Sequence, residues 1–254
     1  MKKKIYLAGM IISVLVFGFS LIAIVNHRIQ ASKAIEEFNE LVEIVEEKED
    51  SVEEKVEEQD AISPLERYLE LFRKNNDLAG WIMIEDTNIN YPVMYAPAEK
   101  DYYLKHSFDK ENSSYGVPYI AEHCSPSEPS DNIIIYGHHM NDGSMFSDLM
   151  KYEDKQFYET HKTIRFDTIT EVAEYEVVSV FKTTVYDEKG FKFYLFSNAK
   201  SDKEFDDYIK NCNSLELYDT GVSAVYGDKL ITLSTCEYSK KNGRMVVVAK
   251  KITK

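Results

Sequence analysis

The sequence predicts a mainly β fold, a closed or nearly closed barrel with helical insertions, held behind a single apolar N-terminal helix. Three observations carry this reading. Many short alternating segments are bounded by turn residues, long amphipathic periods are few, and an uncharged run lies near the start. The 254 residues suit one domain with attachments. A content of 44% hydrophobic and 13% aromatic residues supports a core and excludes wholesale disorder. The net charge of −14 argues against a nucleic-acid protein, which would present a basic face. Three cysteines are too few for a disulfide framework, and the odd count leaves at least one thiol free.

The elements follow in order. Residues 1–4 form a short tail containing Lys2, Lys3 and Lys4, and residues 5–25 are 21 uncharged residues. That length fits a membrane-spanning helix better than a secretory leader, and no small-residue cleavage pattern follows it. Lysines before the span and acids after it predict a single-pass type II anchor with the body outside the cell membrane. Residues 26–63 read as an acidic stalk or linker. Between residues 36 and 60 thirteen carboxylates face only Lys48 and Lys55, a local charge of −11, so the remaining chain is close to balanced. Ile35, Phe38, Val42 and Val45 fall at helical spacing, and the thin stripe predicts a solvated spacer.

Residues 64–254 form the body. Ser63 as N-cap, Pro64 in the first turn and Glu66 open a helix with an apolar face of Leu65, Tyr68, Leu69 and Phe72, which Asn75-Asn76 ends. Strands are expected at Trp81–Ile84, Tyr91–Met94, Val117–Ala121, Ile133–Tyr136, Thr163–Phe166, Glu171–Phe181, Lys229–Thr235 and Arg244–Lys250. Helices are expected over Met145–Lys151 and from Ser201, with Glu204 in capping-box position.

The chemistry gathers at Lys229-Leu-Ile-Thr-Leu-Ser-Thr-Cys236, which alternates like a half-buried strand. Ile231, Leu233 and Thr235 share one face; Thr232, Ser234 and Cys236 share the other. A turn then leads into the Arg244 strand, so a hairpin brings Arg244 back beside Cys236. A nearby cation favours the thiolate that a nucleophilic cysteine needs. Ile133-Ile-Ile-Tyr-Gly-His138-His139 ends a hydrophobic strand at a glycine and delivers a histidine at its edge. Cysteine, histidine and arginine make a thiol acyl-transfer set, in which thiolate attacks, imidazolium protonates the leaving amine and guanidinium steadies oxyanion charge. On spacing alone, the set stays open against a strand-end cysteine that merely packs.

At these residues the sequence resembles the sortases, membrane-anchored cysteine transpeptidases of Gram-positive bacteria. The resemblance rests on Thr232-Leu-Ser-Thr-Cys236, on Arg244 eight residues later, and on Tyr136-Gly-His138 upstream. Gly80-Trp-Ile-Met-Ile-Glu-Asp-Thr-Asn-Ile-Asn-Tyr-Pro-Val93 and His138-His-Met-Asn-Asp-Gly-Ser-Met-Phe146 resemble class B, and together the match covers about residues 64–254. It implies a sortase-like barrel in which Cys236 forms a thioester, His138 is the acid and base, and Arg244 holds the carbonyl or the tetrahedral intermediate. It also implies a groove for an Asn-Pro-Gln-Thr-Asn-like sorting motif, walled by Tyr136, Leu104, Ser234 and Glu237, with Phe193 and Tyr194 added. The implied partners are secreted proteins bearing that motif and an amine acceptor, either a lipid II-type cell-wall peptide or a pilin lysine. No metal, organic cofactor or nucleic acid is implied. His139 is expected to point away from the reaction.

Other readings are weaker on the residues. Zinc binding by Cys124, His123 and their neighbours lacks metal-ligand spacing. A papain-like hydrolase needs its cysteine before its histidine. An L,D-transpeptidase wants His and Gly directly before the cysteine, where Ser234 and Thr235 stand. An anchored surface-binding module would leave the Cys, His and Arg pattern as coincidence.

Overall fold

The computed structural model describes residues 2–53, 64–128, 130–186 and 190–253. The chain runs α1 (Lys2–Glu53), α2 (Pro64–Lys74), β1 (Leu78–Met83), β2 (Asn90–Met94), β3 (Tyr119–Ile120), β4 (Asn132–Tyr136), α3 (Lys155–Thr160), β5 (Thr163–Thr168), β6 (Glu174–Thr184), α4 (Asp202–Leu215), β7 (Leu230–Glu237) and β8 (Gly243–Lys251). The eight strands close into a barrel in the order β1-β2-β3-β4-β7-β8-β6-β5. Closure leaves no unpaired sheet edge. All eight expected strands are present, with ends that shift by a few residues. Two helical details differ. Phe146–Glu153 winds as a 3-10 helix, and α3 follows it unannounced, capped by the Asp154 side chain accepting from Gln156 N–H at 2.9 Å. Ser201 caps α4 as its position suggested, accepting from Glu204 N–H. The proposed cap Ser63 lies outside the described residues.

Helix α2 is bound to the barrel through a buried carboxylate. Asp167 on β5 accepts from Tyr68 of α2 at 2.7 Å, from Arg165 at 2.7 Å and from Arg67 at 3.2 Å. An ionised group so deeply buried needs those donors to offset its lost hydration.

Strand β7 is buried on both faces, not one. Ile231 and Leu233 face the barrel interior with Ile133, Ile135, Met245 and Val247. The other face lies under α4, where Leu230 meets Val246, Val248, Phe205 and Ile209. Thr232 on that face is tolerated because it is paired. Thr232 Oγ1 donates to Asn132 Oδ1 at 2.8 Å and lies 3.2 Å from the Tyr208 hydroxyl.

Helix α1 differs from the expected spacer. It is continuous from Lys2 to Glu53, and Ala34, Phe38, Leu41 and Val45 pack into the core of the body. These positions recur every three or four residues and make one stripe. Phe38 meets Tyr91 of β2 edge-on, with ring centroids 5.1 Å apart. Lys33 pairs with Glu111, and Asp109 N–H donates to Glu37. Ile35, expected on the stripe, stays exposed. Glu36, Glu40, Glu43, Glu46 and Glu47 are exposed on the outer face while Glu37 sits partly buried at the seam, so a highly acidic segment still docks. Over residues 6–25, in contrast, the large apolar side chains are exposed all round. This is the one helix among the described residues that is long and apolar enough to cross a membrane.

Candidate active site

The site follows from strand direction. β4 and β7 run parallel with Tyr136 opposite Ser234, so both chains leave the barrel at the same rim. Two residues beyond those partners stand His138 and Cys236. β8 runs antiparallel to β7 and sets Arg244 directly opposite Cys236. His138, from a strand about a hundred residues upstream, and Arg244, across the hairpin, therefore come to the same rim as Cys236.

Further bonds fasten the rim. Gly137 N–H donates to Ser234 O at 3.2 Å, and Thr235 Oγ1 donates to Gly137 O at 2.8 Å. A side chain at Gly137 would strike Phe146, since an added Cβ would lie 2.5 Å from its ring. Glycine lets the backbone approach that ring and turn His138 outward. His138 Nε2 sits 2.7 Å from the carbonyl oxygen of Leu104. A carbonyl only accepts, so Nε2 carries the proton and Nδ1 is the basic atom of the neutral ring. His139 goes elsewhere. Its Nδ1 donates to the backbone carbonyl of Cys236 at 2.9 Å, and its ring lies against Tyr238. Arg244 is steadied by donating Nη1 to Gly243 O at 2.8 Å.

A cleft of about 350 Å³ opens on this rim and takes in Cys236, His138 and Arg244. Of the expected groove walls, Tyr136, Leu104, Ser234, Phe193 and Tyr194 line it. Glu237 does not. Strand alternation turns it away from its neighbour Cys236 into a separate recess, where Ser239 donates to it at 2.7 and 2.8 Å and Lys182 lies 3.8 Å away. Burial alone would raise the Glu237 carboxyl; the Ser239 bonds and Lys182 outweigh it and hold it below the ordinary range. The cleft also contains Asp101, Tyr119, Tyr186 and Leu195, which sequence reasoning missed. Tyr119 belongs to the short strand β3, and the others come from a turn, a bend and a 3-10 segment without a periodic signal. Tyr119 donates to Asp101 at 2.8 Å, which fixes that wall.

Ser234 is distinctive within the cleft. Its hydroxyl is buried and has no hydrogen-bond partner among the described residues. An unsatisfied buried hydroxyl carries a free-energy cost that an incoming peptide group can relieve.

The three thiols are not alike. Cys236 is partly exposed, whereas Cys124 and Cys212 are buried. Burial pushes Cys124 up to about 11 and Cys212 up to about 12, so both remain protonated thiols at neutral pH. Cys124 also donates to Asn132 O at 3.4 Å and packs in the core, while its neighbour His123 lines the cleft.

Comparison with known proteins agrees with this geometry. The family model described as the sortase domain matches residues 82–252. Sortase B of Listeria monocytogenes is 36% identical over 187 residues, covering 73% of this chain and 74% of its own. Sortase B of Staphylococcus aureus is 33% identical over 178 residues, covering 69% and 70%. The structure of a Staphylococcus aureus sortase B–substrate complex superposes with a TM-score of 0.76 at 28% identity, covering 89% of this chain and 99% of that one. The chain therefore belongs to the sortase family, as a class B cysteine transpeptidase.

Proposed function

We propose that this protein cleaves a sorting motif of the Asn-Pro-Gln-Thr-Asn type after Thr and transfers the secreted protein bearing it to an amine. The observation that carries the reading is the shared rim, where Cys236 faces Arg244 in register and His138 opens onto the same cleft. Cys236 passes its thiol proton to His138 and its Sγ attacks the Thr carbonyl, Arg244 steadies the oxyanion, and His138 returns that proton to the amine as the C–N bond breaks. The resulting thioester is then taken by an amine of a lipid II-type cell-wall peptide. Ser234, with its unpaired hydroxyl, and Tyr136, Leu104, Phe193 and Tyr194 hold the motif. Residues 64–254 are the catalytic domain. Residues 5–25 anchor it as a single-pass type II protein, with residues 1–4 inside the cell and the body outside. The free apolar surface of the first part of α1 supports the anchor, because lipid is the solvent that such a surface matches.

Cleavage profiling of a sorting-peptide library with the full-length protein in detergent tests the reading. Cleavage confined to Asn-Pro-x-Thr-type sequences, after Thr, is expected. Uniform resistance of the library would contradict it.

A further inference from the structure

The thiol cleft is unevenly charged along its length. Arg244 stands at the Cys236 end, and the far wall is made by Lys100, Asp101, Glu122 and His123. The sheet measures the distance between them. Ser234 of β7 lies beside Tyr136 of β4, and Tyr136 lies beside Tyr119 of β3. At the usual strand spacing Tyr119 is therefore about 10 Å from Ser234. Tyr119 donates to Asp101 Oδ1 at 2.8 Å, which carries the wall one side chain further.

At that wall two carboxylates oppose one ammonium. Asp101 gives one oxygen to Tyr119 and keeps further lone pairs for a second donor. Glu122 has only a loose partner, since Lys100 Nζ lies 3.8 Å away on a side chain that is 75% exposed. Such a pair is weak and yields to a competing cation. Burial pushes the Tyr136 phenol up, and Glu122 and Asp101 push it further, so the field of both carboxylates reaches the cleft floor. The cleft is more than an acidic patch, because the buried and unpaired hydroxyl of Ser234 lines it as well. A peptide held through Thr at Cys236 advances about 3.3 Å per residue, so Asn to Thr covers about 10 Å. The residues just before Asn then come to Asp101 and Glu122.

We propose that the far wall selects sorting signals in which basic residues directly precede the motif, with Asp101 and Glu122 receiving their ammonium or guanidinium groups. The inference rests on the sorting reading above and narrows its substrates to secreted proteins whose motif follows Lys or Arg. The same carboxylates repel an acidic residue at that place, so the wall excludes as well as attracts. Both act by binding and touch no reacting atom.

The test uses the full-length protein in detergent and three peptides that differ only in the two residues before Asn-Pro-Gln-Thr-Asn: Lys-Lys, Ala-Ala or Glu-Glu. The kcat/KM values should fall in that order, about fivefold per step and through KM, and the steps should shrink at high salt. Asp101→Asn keeps an acceptor for Tyr119 and suits the left-handed backbone at this position, where φ is 54°. It and Glu122→Gln should each reduce the Lys-Lys to Glu-Glu ratio severalfold, and Glu122→Lys should invert the order. Asp207→Asn, exposed on α4, should leave the ratio unchanged. Equal cleavage of the three peptides by the wild type, or an order that survives all three wall variants, would overturn the assignment. Failure of the wild type to cleave any of them would instead overturn the sorting reading.

Discussion

The barrel rim and the α1 seam both position parts that are distant in sequence, but by different means. At the rim, backbone pairing does the work. Tyr136 opposite Ser234 and Cys236 opposite Arg244 follow from ladders of hydrogen bonds along β4, β7 and β8, and few other registers fit the buried faces. Along the seam, α1 makes all its backbone bonds internally, so its place depends on the side chains Ala34, Phe38, Leu41 and Val45 and a few polar contacts. A ladder sets geometry within fractions of an ångström; a four-residue stripe sets it loosely and can release. The chemistry sits on the first and the tether on the second.

Substitutions at the rim should therefore change the reaction and spare the fold, and those at the seam should do the reverse. The largest effect is expected from Cys236→Ala, which should abolish peptide cleavage, while Cys124→Ala and Cys212→Ala keep most of it. A fluorogenic sorting peptide checks all three. His138→Ala should lose acylation almost completely, because His138 is the acid that protonates the leaving amine; rapid-quench measurement of acyl-enzyme reads this directly. Arg244→Lys keeps the charge but loses the planar fork, and kcat/KM should fall about a hundredfold. His139→Ala removes a bond to the Cys236 carbonyl and a ring contact with Tyr238, and should stay within several-fold of wild type. A dead His139→Ala beside a working His138→Ala would show that the base is misassigned by one residue.

At the seam, Phe38→Ala should cost about 3 kcal/mol of docking through the cavity it leaves. Faster hydrogen exchange in residues 31–45, with the barrel strands unchanged, is the expected sign. A smaller effect concerns pH. Burial in the seam lifts the Glu37 carboxyl above its ordinary range, against the lowering bonds from Asp109, Ser107 and Phe108. A carboxyl raised on folding contributes stability that is fully present below its unfolded pKa and is lost as pH rises through the folded value. Docking should thus tighten on acidification, and Glu37→Gln should remove that dependence. Exchange rates at two pH values decide the point.

The same contrast explains how much was readable in the sequence. Alternation and turn residues place all eight strands, and the hairpin brings Arg244 to Cys236, because period two is written directly in residue order. The docking of α1 was not readable. Ala34 and Leu41 are diluted among carboxylates, and nothing in a thin stripe names the surface that covers it. Thr232 and Ser234 suggested a solvent-facing side of β7, yet α4 lies over that face and Thr232 is satisfied by Asn132. The resemblance placed Glu237 in the groove, but strand alternation turns it away from its neighbour Cys236. Tyr119, Tyr186 and Leu195 needed the fold before they could be seen as cleft walls.

The central claim is that the rim makes Cys236 the nucleophile of an acyl transfer. Incubating the full-length protein with a sorting peptide, quenching in acid and mapping the adduct by mass spectrometry tests it most directly. The acyl group should be found on Cys236 as a thioester, with the peptide severed after Thr. An adduct on Cys124, or cleavage that proceeds with no thioester even in the absence of an amine, would contradict the account.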